Sequence, residues 1–447
     1  MNVRGFGIVF ATMTLLCRLA WPVPASGGTT AGSELWSARH DCRGGGLDEA
    51  KAIALSPDGT RVYVAGIGCG ARFTTIAYSA ATGRQLWLRQ YQGPGTGQNA
   101  AADLAVAPDG ETVFVTGAIT GRGGDYGTIA YRAATGHRLW VAAYDGSAHG
   151  DDDAYAVAVS PNGTRVFVTG TSRDRISGPD VSTVAYGAAT GSELWARQLT
   201  GPGKRYDIGR DVTTTPNGRI VIVAGVSIRP ATRANFATVA YRAASGAPVW
   251  TELYRGVVED SDDVADEVAV SPNGHRVYVT GISGERASEA AATIAYRPAT
   301  GQELWARRSA ATTSESPYLA AVSMAVAPTG TSLFISVPGP QATETPLLQH
   351  LHAGNGSPAW TVPGGGGDIV ASPDGSTVFA ITGGNLVTAY GASKGSPRWS
   401  SGYGDGQVGD DPLALATSPD GSTVFATGAL DGSGANPAIG TIAYRTG

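Results

Sequence analysis

The sequence predicts an all-β fold, an eight-bladed β-propeller of four-stranded antiparallel blades in one domain. Three observations carry that prediction. The stretch Thr128–Trp140, TIAYRAATGHRLW, has near copies starting at Thr75, Thr183, Thr238 and Thr293. A turn of the type Ser-Pro-Asp-Gly, followed by a β-rich run, starts at Ser56, Ala107, Ser160, Thr215, Ser271, Ala327, Ser372 and Ser418. One copy of the first stretch is split between the two ends of the chain. A self-similar unit of about 50 residues fixes the architecture before any local propensity is weighed.

In chain order, residues 1–25 read as a signal peptide. Arg4 supplies the positive start, Phe6 to Cys17 is apolar, and Val23-Pro24-Ala25 offers small residues for cleavage before Ser26. The apolar run is too short to stay as a membrane span. The expectation is a secreted or cell-surface protein with no transmembrane segment in its mature chain and a propeller over residues 33–447. Removing the leader leaves Cys42 and Cys69. Two cysteines in an exported chain suggest a structural disulfide, with two free thiols as the alternative.

Each unit reads as four strands. Ala156-Val157-Ala158-Val159 is too short for a helix and suits a buried strand. Pro161 presets φ in the turn, Asn162 tolerates the next position, and Gly163 adopts what a side chain resists. Val166-Phe167-Val168 forms the second strand, with Gly170 expected to end it. Thr183 to Tyr186 alternates as a third strand, Ala189-Thr190-Gly191 turns, and Leu194 to Arg197 is the fourth. The abundance of glycine (64) and proline (25) fits short strands joined by tight turns.

Tryptophans set the period. Trp36, Trp87, Trp140, Trp195, Trp250, Trp305, Trp360 and Trp399 are spaced by 51, 53, 55, 55, 55, 55 and 39 residues. The last interval is short because Gly383-Gly384-Asn385 replaces a longer loop. Variation thus falls in loops, notably Thr171 to Val181, Ser227 to Asn235 and Ser283 to Ala291. The chain stops at TIAYRTG, without a Leu-Trp strand, and GSELW at Gly32–Trp36 supplies one. The N-terminal strand should therefore complete the last blade and hide its edge. The unit from Tyr318 is the weakest copy, with Leu351 in place of the usual Tyr.

The Tyr-x-Ala-Ala-Thr-Gly-x-x-Leu-Trp stretch resembles the tryptophan-docking repeat of the pyrroloquinoline-quinone-like propellers, which are eight-bladed. The wider unit, from Asp152-Asp153-Ala154 through Val168-Thr169-Gly170 to the Trp strand, is similar to secreted bacterial β-propeller repeat proteins. The resemblance implies a fold over nearly everything after Ser33. Quinoprotein dehydrogenases of that superfamily hold quinone and calcium with an adjacent cysteine pair and acidic residues. This chain has no adjacent cysteines, so no catalytic residue carries over and quinone is not expected.

Counting nine residues back from the turn proline gives Asp48, Asn99, Asp152, Asp207, Asp263 and Asp410. Such a set could form an acidic ring at the channel mouth and attract cations or hydroxyl-rich ligands. The competing reading is that each caps backbone N–H groups between blades. Acidic runs at Asp151-Asp152-Asp153, with His149, and from Glu259 to Glu267 could hold calcium, but lack the spacing of a helix–loop–helix site. Gly391 to Gly395 fits GxSxG and Gly404 to Gly409 fits GxGxxG. Neither leads into a helix, so both read as turns. His350 and His352 share one face of a strand without a third metal ligand, and read as surface or edge histidines.

A net charge of −5 with a pI near 5.7 leaves no basic footprint for nucleic acid. The sequence therefore reads as a monomeric, non-enzymatic binding scaffold that uses its variable-loop face for a protein or polysaccharide ligand. The alternatives are a quinoprotein-like or lactonase-like enzyme at the channel mouth, and a passive surface or matrix protein.

Overall fold

In the computed structural model the chain makes eight four-stranded antiparallel sheets. The structure describes residues 30–447 apart from 43–47, 96, 121–123, 175–177, 200–206, 230–231, 257–261, 285–288, 313–321, 338–345, 384, 405–409 and 431–436. The leader expected over 1–25 lies outside the described residues. Blades 1 to 7 span 49–91, 100–144, 153–199, 208–254, 262–312, 323–363 and 366–402. Blade 8 takes three strands from 411–445 and its outermost, Glu34–His40, from the N-terminus. There Trp36 pairs with Ala443 and Ala38 with Thr441. The first strands contact one another in succession, blade 8 against blade 1 included, so the ring is closed.

Two repeated contacts hold blade to blade. Each Trp Nε1 donates to a carbonyl in the Ala-Thr-Gly turn of the following blade, from Trp36 to Ala80 (2.7 Å) round to Trp399 to Thr446 (2.9 Å). A Cβ on the glycine of that turn would strike the same ring, as Gly191 would strike Trp140. Glycine is needed there twice over, because Gly191 also has φ of +70°. The side chains behind the rings, such as Phe167 against Trp195 and Tyr241 beyond it, form the apolar filling between sheets.

Gly170 does not end its strand, which runs on as Arg165–Asp174. Its register with the first strand breaks between Ala154 and Ala156, a bulge that presses the inner strand against it. A Cβ on Gly170 would overlap the Asp153 carbonyl, and Gly66, Gly117, Gly225, Gly281 and Gly428 repeat that arrangement. Glycine permits the close approach that the bulge needs. The stretches expected as variable loops are largely strand extensions: Asp174 pairs with Gly178 and Ser227 with Asn235.

Blade 6 has all four strands despite its weak sequence. Leu351 lies in the core cluster that includes Trp305, where other blades place Tyr. His350 is neither at the surface nor on an edge. It is buried in the third strand, 5.0 Å from Phe334 and 5.5 Å from Trp360 between ring centroids. It occupies the position taken by Ala130 in blade 2. Strand pattern alone could not show which neighbours enclose it.

Candidate functional site: an acidic axial channel

The bulge decides the chemistry of the channel. In seven blades it falls at or just before the residue five ahead of the turn proline, a position held across the eight blades by Ala52, Asp103, Ala156, Asp211, Glu267, Ser323, Asp368 and Ala414. Each carboxylate accepts a backbone N–H from the first strand of the next blade. Asp103 takes Val157 (2.8 Å), Asp211 takes Val268 (2.8 Å), Glu267 takes Met324 (2.6 Å) and Asp368 takes Leu415 (2.7 Å). The three aspartates also accept the N–H of their own following residue, Leu104, Val212 and Ile369. Ser323 donates to Asp368 at 3.0 Å and serves as a neutral member of the set. A carboxylate thus joins adjacent blades where the bulge takes an N–H out of the sheet ladder. Ile53 has only alanines on either side for this purpose, Ala52 and Ala414.

These groups are half-buried at the channel wall and close enough to repel one another. Burial, offset in part by the N–H donors, pushes Asp103 up to about 6. Burial and the charge on Asp103 push Asp211 up to about 7. Asp266 also rises to about 7 through burial, although Arg210 lies 3.3 Å away. Glu267 is held well above the usual carboxylate range by burial, then by Asp211 and Asp368.

Above this ring opens a cavity of about 850 Å³. Among the described residues its wall carries six acids (Asp103, Asp211, Asp266, Glu267, Asp368, Asp411) and two cations, Lys51 and Arg210. Both cations have acidic partners, Lys51 with Glu49 at 2.7 Å and Arg210 with Asp266. Tyr155 stands in the wall with its ring partly in solvent. Towards blade 7 the wall is low: Gly365 to Gly367, Gly383 and Asn385 line it.

The six residues nine before the turn proline sit elsewhere. All are buried, and none lines the cavity. Asp48 accepts from Cys42 (2.9 Å) and Cys69 (2.5 Å), Asn99 from Gly93 (3.1 Å) and Thr120 (3.0 Å), and Asp152 from Gly146 (2.5 Å) and Arg173 (2.8 Å). Asp207 accepts from Ile228 and Asp263 from Gly256, both at 2.7 Å. Each of these five ties its blade's start to the end of the second strand, to the segment leading into the blade, or to both. Asp410 is buried at the corresponding place in blade 8. The set at minus five is the one that reaches the axis, and its fixed offset was readable beside the other. Asp125, Asp145 and Asp152 bring carboxylate oxygens within 4.8 Å of one another, with His149 2.7 Å from Asp145. Cys42 and Cys69 are bonded as a disulfide, with Cα atoms 5.0 Å apart. The GxSxG match lies in a turn between strands Leu386–Gly391 and Pro397–Gly402. Of the GxGxxG match, residues 405–409 lie outside the described residues.

Eight Trp-docked blades closed by an N-terminal strand define a propeller of the pyrroloquinoline-quinone-like class. Within that class the chain belongs to the family of the outer membrane protein assembly factor BamB, whose profile matches residues 27–252 and 346–433. No curated protein matches the sequence. Among solved structures, BamB from Moraxella catarrhalis aligns with a TM-score of 0.57 and 13% identity, over 93% of this chain and 99% of that one. The quinohemoprotein alcohol dehydrogenase ADHIIG from Pseudomonas putida HK5 aligns at 0.60 and 15%, over 94% and 76%. The C-terminal WD40 domain of Sif2 aligns at 0.60 and 11%, over 94% and 100%. At these identities the likeness is one of fold.

Proposed function

We propose that this protein is a non-enzymatic binding scaffold of the bacterial cell envelope, exported by its N-terminal leader. Its ligand is a positively charged polypeptide segment of a partner protein, received at the channel mouth on the variable-loop face. The observation that carries this reading is the cavity wall, with six acids against two cations that already have acidic partners. Above about pH 7, where Asp211 and Asp266 give up their protons, this acidic excess focuses negative potential into the opening and favours a cation. The low rim at blade 7 gives an extended segment a way in from the side.

The quinone of the enzymatic relatives does not fit this wall. Those relatives hold it with an adjacent cysteine pair, which this chain lacks. Asp103, Asp211, Glu267 and Asp368 are moreover bonded to backbone N–H groups of the neighbouring blades, which assigns them to the scaffold.

Fluorescence titration of the purified protein with labelled oligolysine, oligoglutamate and a neutral oligosaccharide tests the reading. Oligolysine should bind, weaken steeply with salt, and weaken again in Asp411→Asn and Tyr155→Ala at unchanged melting temperature. Equal binding of oligoglutamate, preference for the oligosaccharide, or dye-linked turnover of alcohols after addition of quinone and calcium would overturn it.

A further inference from the structure

Cys42 and Cys69 stand at the two N–H positions that clip to Asp48. The repeat does not ask for cysteine there: blade 2 uses Gly93 and Thr120, and blade 3 uses Gly146 and Arg173. A third side chain joins them. His40, the last residue of the closing strand, places Nε2 3.6 Å from Cys42 Sγ and 3.9 Å from Cys69 Sγ. One ligand atom from each of the three lies within 4.8 Å of the others, and all three residues are half-buried. Gln90 completes the group, with its side-chain amide 2.6 Å from Cys69 Sγ.

Tetrahedral zinc, with Zn–S about 2.3 Å and Zn–N about 2.0 Å, sets N···S at about 3.5 Å and S···S at about 3.8 Å. The imidazole already stands near ligand distance from both sulfurs. Only the sulfur–sulfur separation differs, and reduction removes the bond that fixes it.

We propose that Cys42, Cys69 and His40 form a redox-gated metal site, shut as the disulfide and able, once reduced, to hold one zinc-like divalent cation. A dithiol reductant supplies two electrons and two protons to the disulfide and leaves as its own disulfide. The metal then displaces one proton from each thiol and takes the neutral imidazole as third ligand. Water or the Gln90 amide oxygen fills the fourth position. Asp48 makes the reduced site a preformed one, because its carboxylate holds both cysteine backbones independently of the sulfur bridge. The site ties the closing strand to blade 1, so loading it affects ring closure.

The test reduces the full chain with a phosphine, removes the reductant under inert gas, and titrates Zn²⁺, with Co²⁺ as a spectroscopic stand-in. The oxidised chain is titrated in parallel. The reduced chain should bind one ion, show a thiolate-to-cobalt charge-transfer band, and melt at a higher temperature with metal than without. The oxidised chain and Cys69→Ser should show no such band. His40→Ala should weaken binding at least about tenfold with its circular dichroism unchanged. Equal binding by oxidised and reduced chains overturns the proposal. So does a reduced chain that binds no ion, or one that loses its fold before metal is added.

Discussion

Asp103 in blade 2 accepts the backbone N–H of Val157 in blade 3 at 2.8 Å, across the wall of the axial channel. The same bond recurs from Asp211, Glu267 and Asp368. The wall is therefore both a joint of the ring and an acidic surface. Acceptors that hold adjacent blades together also set the potential that a ligand meets.

This joint makes stability depend on pH in an unusual direction. Burial raises Asp103 to about 6 and Asp211 and Asp266 to about 7, against about 3.9 in an unfolded chain. Between those values the folded chain binds protons that the unfolded chain has released. Their contribution is thus complete below about pH 4 and lost as pH rises through about 7. His350 and His40, both lowered by burial, work the other way and lose their contribution as pH falls. The carboxylates outnumber them. The melting temperature should be higher at about pH 5.5 than at about pH 8, and Asp211→Asn should flatten that difference. Circular dichroism melts across the range check both.

The clip aspartates can be weighed against a comparison inside the chain. In blade 3 Asp152 uses one oxygen for Gly146 N–H and the other for Arg173 N–H. In blade 2 Asn99 takes both equivalent donors on a single oxygen. Asp152→Asn should therefore cost little, under about 1 kcal/mol. Asp152→Ala strands two donors, Gly146 buried and Arg173 part-buried, and should cost about 2–6 kcal/mol at roughly 1–3 each. Urea unfolding of the two variants measures the gap, and equal losses would show that charge, not acceptor geometry, holds the clip.

Trp spacing and the Ser-Pro-Asp-Gly turns made the blade count and ring closure legible, because both are local and repeated. The channel chemistry was harder to read. Asp103, Asp211, Glu267 and Asp368 alternate with alanine and serine, so a residue-by-residue comparison of repeats shows variation where the structure shows one shared function. The bulge that turns their N–H partners inward depends on register between strands, which a single strand does not reveal. Gly170 departs from its expected role for the same reason. Its place after Val-Thr suggests a terminator, while its role is to admit the neighbouring carbonyl.

Two glycine variants separate close approach from mere abundance. Gly170→Ala sets a methyl group on the Asp153 carbonyl, and backbone cannot move aside as a side-chain tip would. Gly354, in a turn rather than a strand, has open space around its missing Cβ and no positive φ. Gly170→Ala should cost about 2 kcal/mol or more, as overpacking does, while Gly354→Ala should stay within about 0.5 kcal/mol of the parent. Chemical unfolding of both decides it; equal values would place the bulge elsewhere.

The closing strand carries the last prediction. Trp36 is contributed by the N-terminus yet works at the joint between blades 8 and 1. Its Nε1 donates to Ala80, and its ring lies 5.8 Å from Phe425 and 6.3 Å from Tyr78. Trp36→Ala removes a buried aromatic and leaves the Ala80 carbonyl unpaired, a loss of about 3–5 kcal/mol. Trp250→Ala, at a joint closed within the continuous chain, removes the same kind of contact with Pro298. Deleting Ser33 to Arg39 goes further, because it exposes the edge of the Ala438–Arg445 strand to other chains. Light scattering on warming should therefore show the deletion aggregating well below the melting point of either Trp variant. A deletion that melts and scatters light like the parent would mean that seven blades and three strands close the ring without it.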